Sequence, residues 1–163
     1  GAGAYEMHWL ALGSLLPIGI LTWFSPTRSA DFAIATIAIC AGLVMDNLWV
    51  ALGILSYPDT AYAPYWIGVL WVGLGLTVNH SMSLFRDYTL LGSAVVGLFA
   101  PVTYLTGQRF GSVVVEDLWM TPIICVAWFV VFYGLAKVAL AMVRSTQENS
   151  VATPELALAK DVV

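Results

Sequence analysis

Asp46 sits in GLVMDNLWVA, an apolar run where an ionised carboxylate costs at least ~2.5 kcal/mol if lipid surrounds it. Such a group must be protonated, paired or in contact with water, and it can then anchor neighbouring helices or carry a proton. Asn47 beside it points about 100° away around a helix and can pin another element. Further along, TVNHSMSLFRD brings together Asn79, His80, Ser83 and Arg86. This set joins an imidazole, able to give or take a proton, to two hydrogen-bonding groups and a cation. It suits proton transfer, or a cradle for an anionic headgroup. Tyr104, Gln108 and Arg109 make a smaller polar group towards the opposite membrane face. Each residue also has a purely structural reading. Asp46 can be a hydrogen-bonded anchor, His80 a satisfied core histidine, and Arg86 a side chain snorkelling to phosphate.

The elements that must position these residues are read from composition first. The chain has 163 residues, 60% of them hydrophobic and only 10% charged. Soluble domains carry about 25% charged residues, so this chain does not have an ordinary water-facing surface. Its net charge of −4 says little about nucleic acid, but no basic run suggests it, and no nucleic-acid partner is expected. Cys40 and Cys125 lie in apolar runs and match no metal-ligand or redox spacing. With two histidines and two scattered cysteines, no metal is expected, and no resident cofactor. Haem held between His8 and His80 would need ligands about 20 Å apart in depth, and Lys137 lies too near a span end for retinal. No phosphate loop or nucleophile elbow is present.

Five apolar segments, at 8–24, 31–57, 64–86, 89–108 and 119–143, approach the roughly 20 residues needed to cross a hydrocarbon layer. Unpaired backbone groups are costly in lipid, so the segments are expected to be helices. The fold class is therefore an all-α polytopic transmembrane bundle over residues 1–143, followed by a polar tail, 144–163. That tail reads as mobile, or as a docking segment. Small and polar residues recur at helical spacing on three spans: Ala35, Ala38, Gly42, Asp46, Trp49 and Gly53; Gly68, Gly75, Asn79, Ser83 and Arg86; and Ser93, Gly97, Pro101, Tyr104 and Gln108. The second, third and fourth spans are expected to form the core of the bundle. Pro17, Pro101 and Pro122 predict kinks or first-turn positions.

One membrane face collects Arg28, Arg86, Lys137, Arg144 and Lys160, the other only Arg109, so the first is expected to be cytoplasmic and with it the C-terminus. The opposite face gathers an aromatic belt that includes Tyr57, Tyr62, Tyr65, Trp66 and Trp119. This orientation puts the N-terminal GAGAYEMHW outside without an export signal, so a further helix before Gly1 is expected.

MDNLWVALGILSYP (45–58), TVNHSMSLFRD (77–87) and GLFAPVTYLTGQRFG (97–111) resemble a bacterial family of small inner-membrane proteins of unknown function. The likeness rests on three motifs in order: an Asp-Ser/Asn pair leading into LGxLxYP, TxNHS ending in Arg, and APxxYxxGxRxG. It covers residues 40–111. It implies a bacterial inner-membrane location, six helices in a complete member with the first missing here, and a lipid-linked role. It supplies no activity, and whether the protein is an enzyme stays open.

The sequence thus favours a small inner-membrane protein with an intramembrane polar site for a lipid-like or amphipathic ligand. Asn79, His80, Ser83 and Arg86 would hold its polar end, with Asp46 acting through water. Membrane lipids are the expected partners, with other subunits or a homo-oligomer as further ones. Two alternatives stay open: a non-catalytic subunit of a larger membrane complex, and a proton-coupled small-solute carrier.

Overall fold

The computed structural model describes residue 13 and residues 15–160, with side chains described as far as residue 146. Within those bounds the chain is a mostly helical bundle. Helix α1, described over 15–23, precedes α2 (Arg28–Ala51), α3 (Tyr65–Thr77), a short α4 (Ser83–Asp87), α5 (Thr89–Arg109) and α6 (Thr121–Lys160). The stretches Arg28–Ala51, Thr89–Arg109 and Leu118–Thr146 are long and apolar enough to cross a membrane. The rest of the first expected span, 8–12 and residue 14, lies outside the described residues.

Helix α2 stops at Ala51, six residues before the expected end, because Gly53 turns the chain. With φ +67°, Gly53 adopts the left-handed conformation that ends a helix. Ile54 N–H then donates to Trp49 O at 2.9 Å and Gly53 N–H to Val50 O at 3.0 Å. Helix α5 ends in the same way: Gly111 has φ +70°, Ser112 N–H reaches Gly107 O and Gly111 N–H reaches Gln108 O, both at 2.9 Å. Each turn releases the chain into a two-residue strand, β1 (Leu55–Ser56) and β2 (Val114–Val115). These pair antiparallel, Leu55 opposite Val115 and Ser56 opposite Val114. Ser56 Oγ donates to Glu116 Oε1 at 2.6 Å, tying the two connections together. This ribbon marks one end of the bundle and Arg86 the other.

The third expected span, 64–86, is not one helix. Helix α3 covers 13 residues, about 20 Å, and residues 78–82 are turns before α4 resumes. The turns satisfy their own backbone: His80 and Met82 N–H groups donate to Thr77 O, and Ser83 N–H to His80 O, each at 3.0 Å. Asn79 and His80 therefore project from a break in the helix, free of the directions a continuous helix would impose.

The core pairing also differs from the expected one. Helix α2 packs on α3, α5 packs on α6, and α6 rather than α5 joins the two pairs by contacting α2. Small residues permit the close approaches. A Cβ on Gly75 would fall 2.5 Å from Ala35 Cα, one on Gly42 would meet the Trp71 ring at 2.0 Å, and one on Gly97 would meet Cys125 O at 2.6 Å. Phe132, Leu135, Ala136 and Ala139 of α6 are buried in the same core. Pro101 lies inside α5, buried, and Pro122 occupies the first turn of α6, where its missing N–H costs nothing.

Candidate functional site

Asp46 is 1% exposed on the inward face of α2, with Ala35, Ala38, Gly42 and Trp49 along the same stripe. Gly42, one turn earlier, lacks the Cβ that would exclude Trp71. The indole can therefore lie on α2 and donate from Nε1 to Asp46 Oδ2 at 2.8 Å. Oδ1 accepts two hydroxyls at 3.0 Å each, Tyr57 from the loop after β1 and Tyr104 from α5. Trp128 of α6 donates to the Tyr104 hydroxyl at 3.3 Å and stacks on Trp71, ring centroids 4.6 Å apart. One carboxylate thus gathers α2, α3, α5, α6 and the 52–64 loop, and hydrogen bonds to a charged group are each worth ~1.5–3 kcal/mol. The Trp49 indole nitrogen is buried beside the Tyr104 hydroxyl. Burial, then the adjacent Asp46 charge, raises the Tyr57 hydroxyl above the ordinary tyrosine pKa and keeps it a donor. Tyr57, expected in the aromatic belt, is 5% exposed, whereas Tyr62, Tyr65 and Trp119 of that belt are exposed.

This network forms one wall of a cavity of about 620 Å³ between α3, α5, α6 and the loops at the ribbon end. Aromatic side chains and aliphatic ones such as Ile67 and Leu70 supply most of the remaining surface. A carboxylate offers about four acceptor sites. Asp46 uses three, so one acceptor position remains on a group that borders the cavity.

The second cluster lies at the other end of α2, around Asp31, which is 0% exposed. Asn79 Nδ2 donates to its Oδ1 at 2.7 Å, while Oδ2 accepts Thr27 Oγ1 and pairs with His80 Nε2, both at 3.0 Å. Arg86 donates to Asn79 Oδ1 at 2.8 Å and forms an ion pair with Asp87 at 2.7 Å. The His80 ring is 41% exposed and borders a second cavity of about 450 Å³ beside α1.

The candidates of the sequence therefore divide. Asn79, His80 and Arg86 form one network and Asp46 with Tyr104 another. The two carboxylates are fifteen residues apart on α2, about 22 Å along its axis, so no single small site contains both. Ser83 is half-buried at the start of α4. Asn47 pins the loop before α3, accepting from Ala63 N–H at 3.1 Å and donating to Leu43 O at 2.7 Å. Gln108 Oε1 accepts Val115 N–H at 2.8 Å and fixes β2, and Arg109 is exposed. Asp31, Trp71 and Trp128 are the members of these two networks that the sequence did not single out. Asp31 continues the α2 stripe by one turn before Ala35, and Trp71 lies between Gly68 and Gly75 at intervals of three and four. Periodicity carried both signals.

Residues 2–134 match the model of a family described as a protein of unknown function, DUF2878, which covers both polar networks, and the chain belongs to that family. No curated protein and no solved structure matches it.

Proposed function

We propose that this DUF2878 protein is an integral protein of the bacterial inner membrane that holds an amphipathic, lipid-like molecule in the cavity beside Asp46. One observation carries the reading: a largely apolar cavity of about 620 Å³ ends on a buried carboxylate with three fixed donors and one unused acceptor position. Small-molecule sites of 300–1,000 Å³ have this composition, an apolar lining with a few placed polar groups. The Asn79–His80–Arg86 cluster, favoured by sequence for the polar end, is largely satisfied by Asp31 and Asp87, which moves the ligand's polar end to Asp46. Arg28 and Arg86 at one end of the bundle, against Arg109 at the other, support placing the Arg86 end and the C-terminus in the cytoplasm.

Mass spectrometry of the intact protein released gently from its own membrane tests the reading. A stoichiometric amphipathic molecule is expected on the wild type and is reduced on Leu70→Trp. This change fills the cavity from an exposed wall position without touching the Asp46 network. Recovery of only the bulk lipid mixture, unaffected by Leu70→Trp, overturns it. A stoichiometric protein partner in place of the lipid supports the complex-subunit alternative.

A further inference from the structure

We infer that the polar end of the molecule in this cavity is a cation, an amine or quaternary ammonium head carried on an apolar tail. The inference rests on the reading that the cavity takes an amphipathic ligand, and it names the class.

Among the described residues the charged side chains in the cavity wall are Asp46 and Asp59, and no described lysine, arginine or histidine contributes to it. Arg109, the cation nearest this end in sequence, is exposed and stands outside the wall. The partners of Asp46 are all neutral dipoles, the Tyr57 and Tyr104 hydroxyls and the Trp71 indole. The contrast on the same helix is Asp31, which has His80 at 3.0 Å and reaches Arg86 through Asn79. Asp46 thus has hydrogen bonds and no counter-charge among the described residues. An anionic head entering this space would meet two carboxylates. A neutral head would leave an ionised Asp46 without a counter-charge. A cationic head supplies the missing charge where low polarity makes it count most.

The remaining wall fits the same class. Tyr57, Trp66, Trp71, Tyr104, Phe110 and Trp128 border the cavity. Aromatic faces attract cations, and cages of such rings are the recurrent means of holding quaternary ammonium groups. Trp71 and Trp128 are stacked at an interplanar angle of 15°, and Trp71 and Tyr104 are hydrogen-bonded to Asp46, so rings and carboxylate form one rigid unit. Asp59 stands exposed in the 52–64 turn at the mouth, placed to attract the same charge before it enters.

The test titrates the purified protein, in a neutral alkyl maltoside, with three ten-carbon amphiphiles: the alkyltrimethylammonium, the alcohol and the sulfate. Tryptophan fluorescence reads binding, since Trp66, Trp71 and Trp128 line the cavity. The ammonium compound is expected to bind about tenfold more tightly than the alcohol, with the sulfate weakest. Asp46→Asn should remove that preference, bringing ammonium binding down to the level of the alcohol in the same variant. Asp59→Asn, at an exposed position, should reduce it about threefold and keeps the test decisive if the buried variant does not fold. Displacement of the bound ammonium by phosphatidylcholine assigns the site to a lipid head, and persistence assigns it to a free cationic amphiphile; either upholds the class. Equal binding of all three compounds, or preference for the sulfate, overturns the cationic class and leaves the amphiphile reading standing. Failure of all three to bind removes that reading as well.

Discussion

At the scale of single residues, the two buried carboxylates of α2 carry different obligations. Asp31 satisfies Asn79, Thr27 and His80 at once, so truncation leaves three polar groups facing a fully buried vacancy. Asp31→Ala should therefore cost about 3 kcal/mol or more, read as a fall in the melting temperature in detergent. His80→Ala, which removes a ring 41% exposed, should cost less than half as much. Equal losses would mean that Asp31 acts through His80 alone. Tyr57 gives a pH-dependent prediction. Burial and the Asp46 charge hold its pKa above the ordinary tyrosine value, so above about pH 10 the unfolded chain releases a proton that the folded chain keeps. The contribution of Tyr57 to stability is then complete below that pH and declines above it, by up to ~1.4 kcal/mol per pH unit. Tyr57→Phe should flatten this part of the alkaline denaturation curve, and identical slopes in both proteins would contradict the placement of the hydroxyl. Asp46 and Tyr104 were legible in sequence because each stands on a stripe of small residues within a long helix. Asp31 was not, because SPTRSAD reads as a joint and its carboxylate as a solvated charge.

At the scale of elements, α2 and α3 are matched by shape at Gly42. A methyl group there would lie 2.0 Å from the Trp71 ring, so Gly42→Ala must displace the indole and break its bond to Asp46. The expected loss is about 2 kcal/mol, and it should be strongly non-additive with Trp71→Phe, because both changes remove the same hydrogen bond. A thermal-melt double-mutant cycle measures this, and simple additivity would show that the ring adjusts without losing Asp46. The helices that end on strong local signals were the more legible ones: Thr89–Arg109 departs from the expected 89–108 by one residue. Gly53 could have been read as the stop of α2, but the apolar ILSY after it extended the hydrophobic run to residue 57. The break in the third span falls on Asn79, His80 and Ser81, polar residues that the sequence reading placed on the face of a continuous helix, and its turns are closed by backbone bonds to Thr77. What decides the break is tertiary. Asn79 and His80 must reach Asp31, and a strand pair two residues long lies below any period that a sequence can display.

At the scale of the whole molecule, α2 is a rod of 24 residues, about 36 Å long, with a polar network near each end and a packed apolar middle. The Asp31 network closes the bundle at the Arg86 end, and the Asp46 network closes it at the ribbon end. Between them Ile34 and Ala38 are 0% exposed, and Gly75 presses its backbone onto Ala35. A water needs a polar site with two to four partners, and this contact offers neither room nor partners. A proton moving from one carboxylate to the other would have to cross about 22 Å, and no described residue relays it between α2 and α3. The arrangement therefore works against the proton-coupled carrier and in favour of a site that loads from one side. Proteoliposomes containing the protein should dissipate an imposed pH gradient no faster than empty vesicles, read with a trapped pH-sensitive dye. Asp31→Asn and Asp46→Asn should leave that rate unchanged. A leak in the wild type that either substitution abolished would show that the middle of the bundle opens, and that the two networks are the ends of one path.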